Sequence, residues 1–181
     1  MARLPYLEKS DLAPEDQELL KRGIALHKCM ANNPAAARAM GALGQYLRHS
    51  TKLDARVREL VILQIGWLAR SPYEWSHHVK IGKDFGVTDA DIQALMAETE
   101  GQETALGALE RLALKAAREV YAGGCSMATF AALRAALPSD QVVDVVLAAS
   151  FYCAVVRVLA SLEIDVEPEY LPYLAKYPFP V

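Results

Sequence analysis

Three residues in the first half of the chain, Glu59, Glu74 and His78, have types and spacing suited to proton transfer. Glu74 and His78 are four apart, so a helix brings them to one face within hydrogen-bonding reach. Glu59 stands in an otherwise apolar stretch, Leu60-Val61-Ile62-Leu63. If the two segments form an antiparallel hairpin, Glu59 approaches the Glu74/His78 face across the seam. A carboxyl beside an imidazole, half-buried among Trp67, Tyr73 and Trp75, is a pair fit for acid–base work. Burial raises a carboxyl pKa and lowers that of histidine, which brings both towards neutrality. An ion pair opposes those shifts, so the protonation states stay open at this level.

Plainer roles compete for the same residues. Glu74 is the third residue after Ser71-Pro72 and can serve as the acidic half of a capping box, with Ser71 doing no more than capping its helix. Glu59 can face solvent beside Arg56 or pair on the turn of Arg58. Trp67, Tyr73 and Trp75 can be core aromatics or can line a substrate pocket. His77 joins them as a candidate substrate contact, or is interfacial or exposed. His77 and His78 point about 100° apart on a helix, so they would not chelate one ion together, and a zinc site would need a third ligand from elsewhere. No metal is expected. Arg157 is a lone charge in the last apolar helix. It pairs with Asp144 or Glu163, or it binds a substrate carboxylate, with Tyr152 as a second polar pocket group.

The elements that must position these residues are all helical. The spacing of Leu53, Val57, Leu60, Val61 and Leu63 predicts a helix from Leu53 to Arg70. Ser71-Pro72-Tyr73-Glu74 restarts the chain into a second helix, to Phe85, stopped by Gly86. Before them, helices are predicted from Glu15 to about Met30, and from the Asn33-Pro34 start to about His49. After them come a short helix from Thr88 to about Ala97, a linker to Gln102, and helices over Glu103 to Ala122 and Ser126 to Ala136. A long apolar helix then runs from Pro138 to about Leu162. The tail from Asp165 holds Pro168, Pro172, Pro178 and Pro180 and is expected to be extended, lying on the domain or on a neighbouring subunit. No period-two strand pattern is present. The reading is an all-α chain in one domain, 1–181, with a helical lead (1–50), a core (53–162) and a tail (165–181).

The spacing of Glu59, Ser71, Glu74 and His78 resembles the active-site pattern of the carboxymuconolactone decarboxylase family, within the AhpD-like superfamily. Ser71 and Glu74 stand where the peroxidase branch has the two cysteines of a CxxC, and Glu74-Trp75-Ser76-His77-His78 is similar to the EWxxH stretch of the decarboxylase branch. Leu4-Pro5-Tyr6, Arg58 to Leu63 and Val166-Glu167-Pro168 share the family's flavour. The resemblance implies an AhpD-like helical bundle with a central helical hairpin, assembled as a trimer or hexamer with the site near subunit contacts. It implies no cofactor and a small carboxylated substrate. The reaction implied is that of a cofactor-independent lyase, or isomerase, acting on a carboxylated lactone or an aromatic-derived acid. The alternatives are a non-catalytic binding or assembly protein, and a residual oxidoreductase using Cys125 or Cys153.

Composition narrows the remaining classes. A net charge of −3 argues against a nucleic-acid partner, which asks for a Lys/Arg-rich face. Met1 to Leu7 contains Arg3 and Pro5 and no apolar stretch follows, so no signal peptide is expected. The apolar run Val145 to Val156 is too short to span a bilayer, and no membrane partner is expected. Cys29, Cys125 and Cys153 are far apart, which argues for a reducing compartment, the cytoplasm by default.

Overall fold

The computed structural model describes residues 2–180. Met1 and Val181, the outer ends of the predicted lead and tail, lie outside the described residues. Among the described residues nine α-helices follow in order: α1 Ala25–Met30, α2 Pro34–His49, α3 Ala55–Leu68, α4 Pro72–Asp84, α5 Asp89–Thr99, α6 Ala108–Ala122, α7 Met127–Ala136, α8 Ser139–Leu162 and α9 Leu171–Lys176. Among the described residues there is no strand.

The core is built around α3. Every residue from Val57 to Trp67 is buried, because α3 is covered by α4, α5, α6 and α8. A helix apolar on all sides belongs inside a bundle, and its polar members need internal partners. Gln64 donates to Thr99 Oγ1 at 2.9 Å and accepts from Arg118 Nη1 at 3.0 Å. Asp54 caps the start of α3 by accepting from the backbone N–H of Val57.

The turn from α3 to α4 sets the hairpin. Arg70 takes a left-handed conformation (φ 46°), the backbone N–H of Ser71 donates to the Gly66 carbonyl, and that of Arg70 donates to Trp67. This is the Schellman closure of a helix. Ser71 then caps α4 by accepting from Glu74 N–H. The predicted capping box is incomplete for a physical reason: the Ser71 N–H that Glu74 would have satisfied is already taken by Gly66. The Glu74 carboxyl is therefore not consumed by capping.

Several boundaries differ from expectation. The predicted helix from Glu15 to Met30 is split into a 3-10 segment, Pro14–Leu20, and α1, with Gly23 turning the chain at φ 66°. The helix expected from Glu103 begins only at Ala108, after Gly107. The tail is not fully extended, since Pro168–Tyr170 and α9 are helical. It lies across α4, where Trp75 Nε1 donates to the Tyr177 carbonyl at 2.9 Å and Phe179 packs on Trp67. The last long helix, α8, extends well beyond Val145–Val156 and is long and apolar enough to cross a membrane by length and composition. More than half of its apolar window is instead buried in the bundle. Its Asp144 accepts from Tyr46 and Thr51.

Gly66 lets α3 and α4 approach closely: a Cβ there would sit 3.3 Å from Trp75 N and 3.4 Å from Trp75 Cα. Helix propensity alone would favour alanine by about 1 kcal/mol, but both obstructing atoms are backbone, and overpacking costs about 1–3 kcal/mol. Gly66→Ala is expected to lower the denaturant midpoint. A raised midpoint in urea unfolding would show that the hairpin seam yields freely.

Candidate active site

The hairpin brings Glu59, Glu74 and His78 together. The two ring nitrogens of His78 each face a carboxylate. Nδ1 lies 2.7 Å from Glu59 Oε2, and Nε2 lies 3.0 Å from Glu74 Oε1. The other oxygen of Glu59 accepts from Arg58, at 3.2 Å from Nε and 3.0 Å from Nη2. Arg58 is itself buried, stacks over the Phe85 ring and donates to the Arg48 carbonyl at 3.2 Å. All four side chains are withdrawn from solvent.

Charge pairing outweighs burial in this cluster. Burial alone would push the His78 pKa down; the charges of Glu74 and then Glu59 override it and lift it from 6.5 to about 9. Burial opposes ionisation of Glu59, but His78 and then Arg58 hold its pKa below the ordinary carboxylate value. The ring is thus an imidazolium at neutral pH. Its contact with Glu74 lacks hydrogen-bond geometry, which leaves Glu74 Oε1 buried without a hydrogen-bond partner. This oxygen is held by charge attraction to the ring rather than by a well-aligned hydrogen bond, an arrangement suited to passing a proton.

These groups reach a cavity of about 430 Å³, within the size range of small-molecule sites. Glu74 and His78 line it, together with Tyr73, His77 and Tyr152. Glu59 does not; it acts from behind the imidazole. Tyr152 is buried with its ring edge-on to His78, at 5.1 Å between centroids and 81° between planes.

His77 is buried, not exposed. Its ring is stacked between Tyr73 (4.0 Å) and Tyr170 (3.5 Å), and Nε2 lies 2.7 Å from Glu167 Oε2. The other Glu167 oxygen accepts from Tyr73 Oη and from the Ala25 backbone N–H at the start of α1. This assembly ties the tail to α1 and α4 and walls the cavity.

Three sequence candidates lie elsewhere. Trp67 and Trp75 pack against each other and against Phe179 in a second core on the far side of α3, because the tail covers them. Arg157 is exposed on α8, donates to the Cys153 carbonyl at 2.6 Å and sits over the Tyr121 ring. Neither proposed carboxylate partner is free for it: Asp144 is held by Tyr46 and Thr51, and Glu163 pairs with Arg3.

Sequence reasoning missed the contribution of the N-terminal lead. Arg22, His27 and Arg48 all line the cavity, yet no motif or spacing marks them. Pairing of Glu59 on the turn of Arg58, weighed as an alternative to a role in the site, instead coexists with its contact to His78.

No cysteine lines the cavity. Burial and then Glu119 push the Cys125 thiol up, away from the thiolate that peroxidase chemistry needs. Among the described residues, no group of three or more His, Cys, Asp or Glu side chains is placed to hold a metal ion.

The raised His78 pKa carries a stability prediction. A group whose pKa is higher folded than unfolded stabilises the fold fully below the unfolded value and loses that contribution as pH rises through the folded value. Melting temperature should therefore fall between pH 6.5 and about 9. In Glu59→Gln this slope should flatten. An unchanged slope in that variant would remove His78 as its source.

Residues 34–119 match the carboxymuconolactone decarboxylase family. No curated protein matches the chain. Solved structures share its fold. One is an uncharacterized peroxidase-related protein with an alkylhydroperoxidase AhpD core from Ralstonia eutropha JMP134, with a TM-score of 0.80 and 17% identity, covering 96% of this chain and 95% of that one. Another is the debrominase Bmp8 in complex with 2,3,4-tribromopyrrole, with a TM-score of 0.79 and 16% identity, covering 97% of each chain. A third is an uncharacterized peroxidase-related protein from Silicibacter sp. TM1040, with a TM-score of 0.73 and 19% identity, covering 93% of this chain and 92% of that one. Identities this low speak for the fold and not for the reaction. With its matching segment over residues 34–119, its AhpD-like all-helical fold and no CxxC at the site, this chain resembles the carboxymuconolactone decarboxylase family.

Proposed function

We propose that this protein is a cofactor-independent lyase that decarboxylates or isomerises a small carboxylated lactone or aromatic-derived acid by proton transfer. The observation that carries the reading is the buried Glu59–His78–Glu74 chain ending at the wall of an organic-sized cavity.

In the decarboxylation, the bond from the ring carbon to the carboxylate breaks and its electron pair moves into the conjugated carbonyl, giving an enolate and CO2. One proton must then reach carbon. His78 is the proton reservoir, held in the cationic state by its two carboxylates. Glu74 is the carboxyl that both touches His78 and lines the cavity, so the proton passes beside it or through it, and solvent restores it afterwards. Glu59, anchored by Arg58, fixes the ring orientation. The imidazolium also offsets the negative charge of the enolate in a site shielded from water.

A homo-oligomer, trimer or hexamer, belongs to the same proposal. Met127, Phe130 and Val143 expose apolar area that such an assembly would cover. The non-catalytic alternative requires a filled site or a Glu74 consumed by capping, and the open cavity and the free Glu74 carboxyl weigh against it. The oxidoreductase alternative lacks a thiol at the cavity.

Glu74→Gln is nearly isosteric and removes an oxygen that has no hydrogen bond. It should lower turnover of a carboxylated γ-lactone by about 10²–10⁴-fold, the usual worth of general acid–base catalysis, measured well below a thermal melt that falls because His78 loses a charge partner. Alkylation of the two partly exposed cysteines, Cys125 and Cys153, should leave that turnover intact. Full activity in the Gln variant, or loss on alkylation alone, would overturn the assignment.

A further inference from the structure

The cavity carries a charge imbalance that the proton-transfer cluster does not use. Besides the His78 imidazolium, four cationic side chains (Lys21, Arg22, Arg38 and Arg48) and two anionic ones (Glu18 and Glu74) line it, in a chain whose net charge is −3. Arg38 is already paired with Asp16 at 2.6 Å and lies 3.8 Å from Glu18. Glu74 is engaged by His78. Arg22 and Arg48 have no carboxylate partner among the described residues. Arg48 is half-buried on α2, and Arg22 stands in the turn before α1.

Two unpaired guanidiniums facing one cavity repel each other. After the effect of burial, the charge of Arg48 lowers the Arg22 pKa further. The third basic group nearby does not add to the charge. Burial, then Arg22 and Arg48, push His27 down to about 4, so its ring is neutral at pH 7. The positive field at this wall therefore comes from the two arginines together with the exposed Lys21, and a concave wall focuses it on whatever enters. Guanidinium matches the planar, two-oxygen geometry of a carboxylate.

We propose that Arg22 and Arg48 form a carboxylate-binding subsite in the wall of the Glu74/His78 cavity. This subsite, rather than Arg157, selects small organic acids. The inference rests on the reading of the cavity as a substrate site and names the feature of the substrate that is recognised. It places the anchor on the N-terminal lead, outside the hairpin that supplies the proton-transfer groups. Of a ligand's anionic groups, the carboxylate held here is the one retained during reaction or the one positioned to leave.

The test uses benzoate and its neutral counterpart benzamide as probes of the whole chain, by NMR or calorimetric titration. Benzoate is expected to bind saturably in the millimolar range or tighter, with benzamide at least tenfold weaker, and added salt should weaken benzoate. Arg22→Gln and Arg48→Gln should each weaken benzoate about tenfold or more, the order expected for loss of a charge-assisted hydrogen bond, without altering benzamide. Arg22 is exposed, so its variant tests the idea even if Arg48→Gln folds poorly. Arg48→Lys should retain more affinity than Arg48→Gln. Glu74→Gln, which removes the proton-transfer carboxyl and one negative charge, should bind benzoate at least as tightly as the native chain. That separates the two ideas: arginine-dependent benzoate binding without lyase activity would keep the subsite and sink the reaction. Equal benzoate affinity in the native chain and the Arg22 variant, benzamide binding as well as benzoate, or no saturable benzoate binding would overturn the subsite.

Discussion

Glu59 stands on a helix with no solvent-facing side, and that placement constrains everything around it. A carboxylate enclosed this way must be paired on both oxygens, or the fold bears the cost of an isolated charge. Arg58 meets one oxygen and His78 the other. Because His78 belongs to α4, the pairing ties the second arm of the hairpin to the first at one register. Slipping α4 by a residue would turn the imidazole about 100° away and strand the buried charge.

The register is reinforced by backbone geometry at the turn. The Schellman closure uses the Ser71 N–H, so the acidic residue of the apparent capping box is released from its local duty. Gly66 allows α4 to lie close enough for the imidazole to reach Glu59. The active geometry thus follows from how one helix ends and how near the next can approach. In the same way Glu167 accepts the orphan N–H at the start of α1 and receives Tyr73 and His77, so the tail, the lead and α4 share one polar knot.

Within the buried quartet the charges balance. Arg58 and His78 face Glu59 and Glu74, so the interior carries no net charge while His78 keeps its proton. Such a cluster is poor evidence of added stability, since burying four ionic groups is costly even when they are paired. Its geometry suits a reactive role better, because Glu74 Oε1 remains without a hydrogen bond at the edge of the cavity. The cavity wall supplied by the lead has the opposite character, with two guanidiniums that the protein itself leaves uncompensated.

Hydrophobic periodicity and Pro and Gly punctuation sufficed for the all-helical class, and a four-residue spacing for the pairing of Glu74 with His78; the central hairpin and the approach of Glu59 were implied by the family resemblance alone. The first two are local features, governed by which residues share a helix face and where a helix can stop. The path of the tail, the burial of Trp67 and Trp75 beneath it, the exposure of Arg157 and the recruitment of Arg22, His27 and Arg48 were not legible. Each depends on contacts between segments far apart in the chain, where packing and charge compensation outweigh local preference. A residue type and spacing can show that a group is able to transfer a proton; only the packed structure shows which cavity it faces and which charges share it.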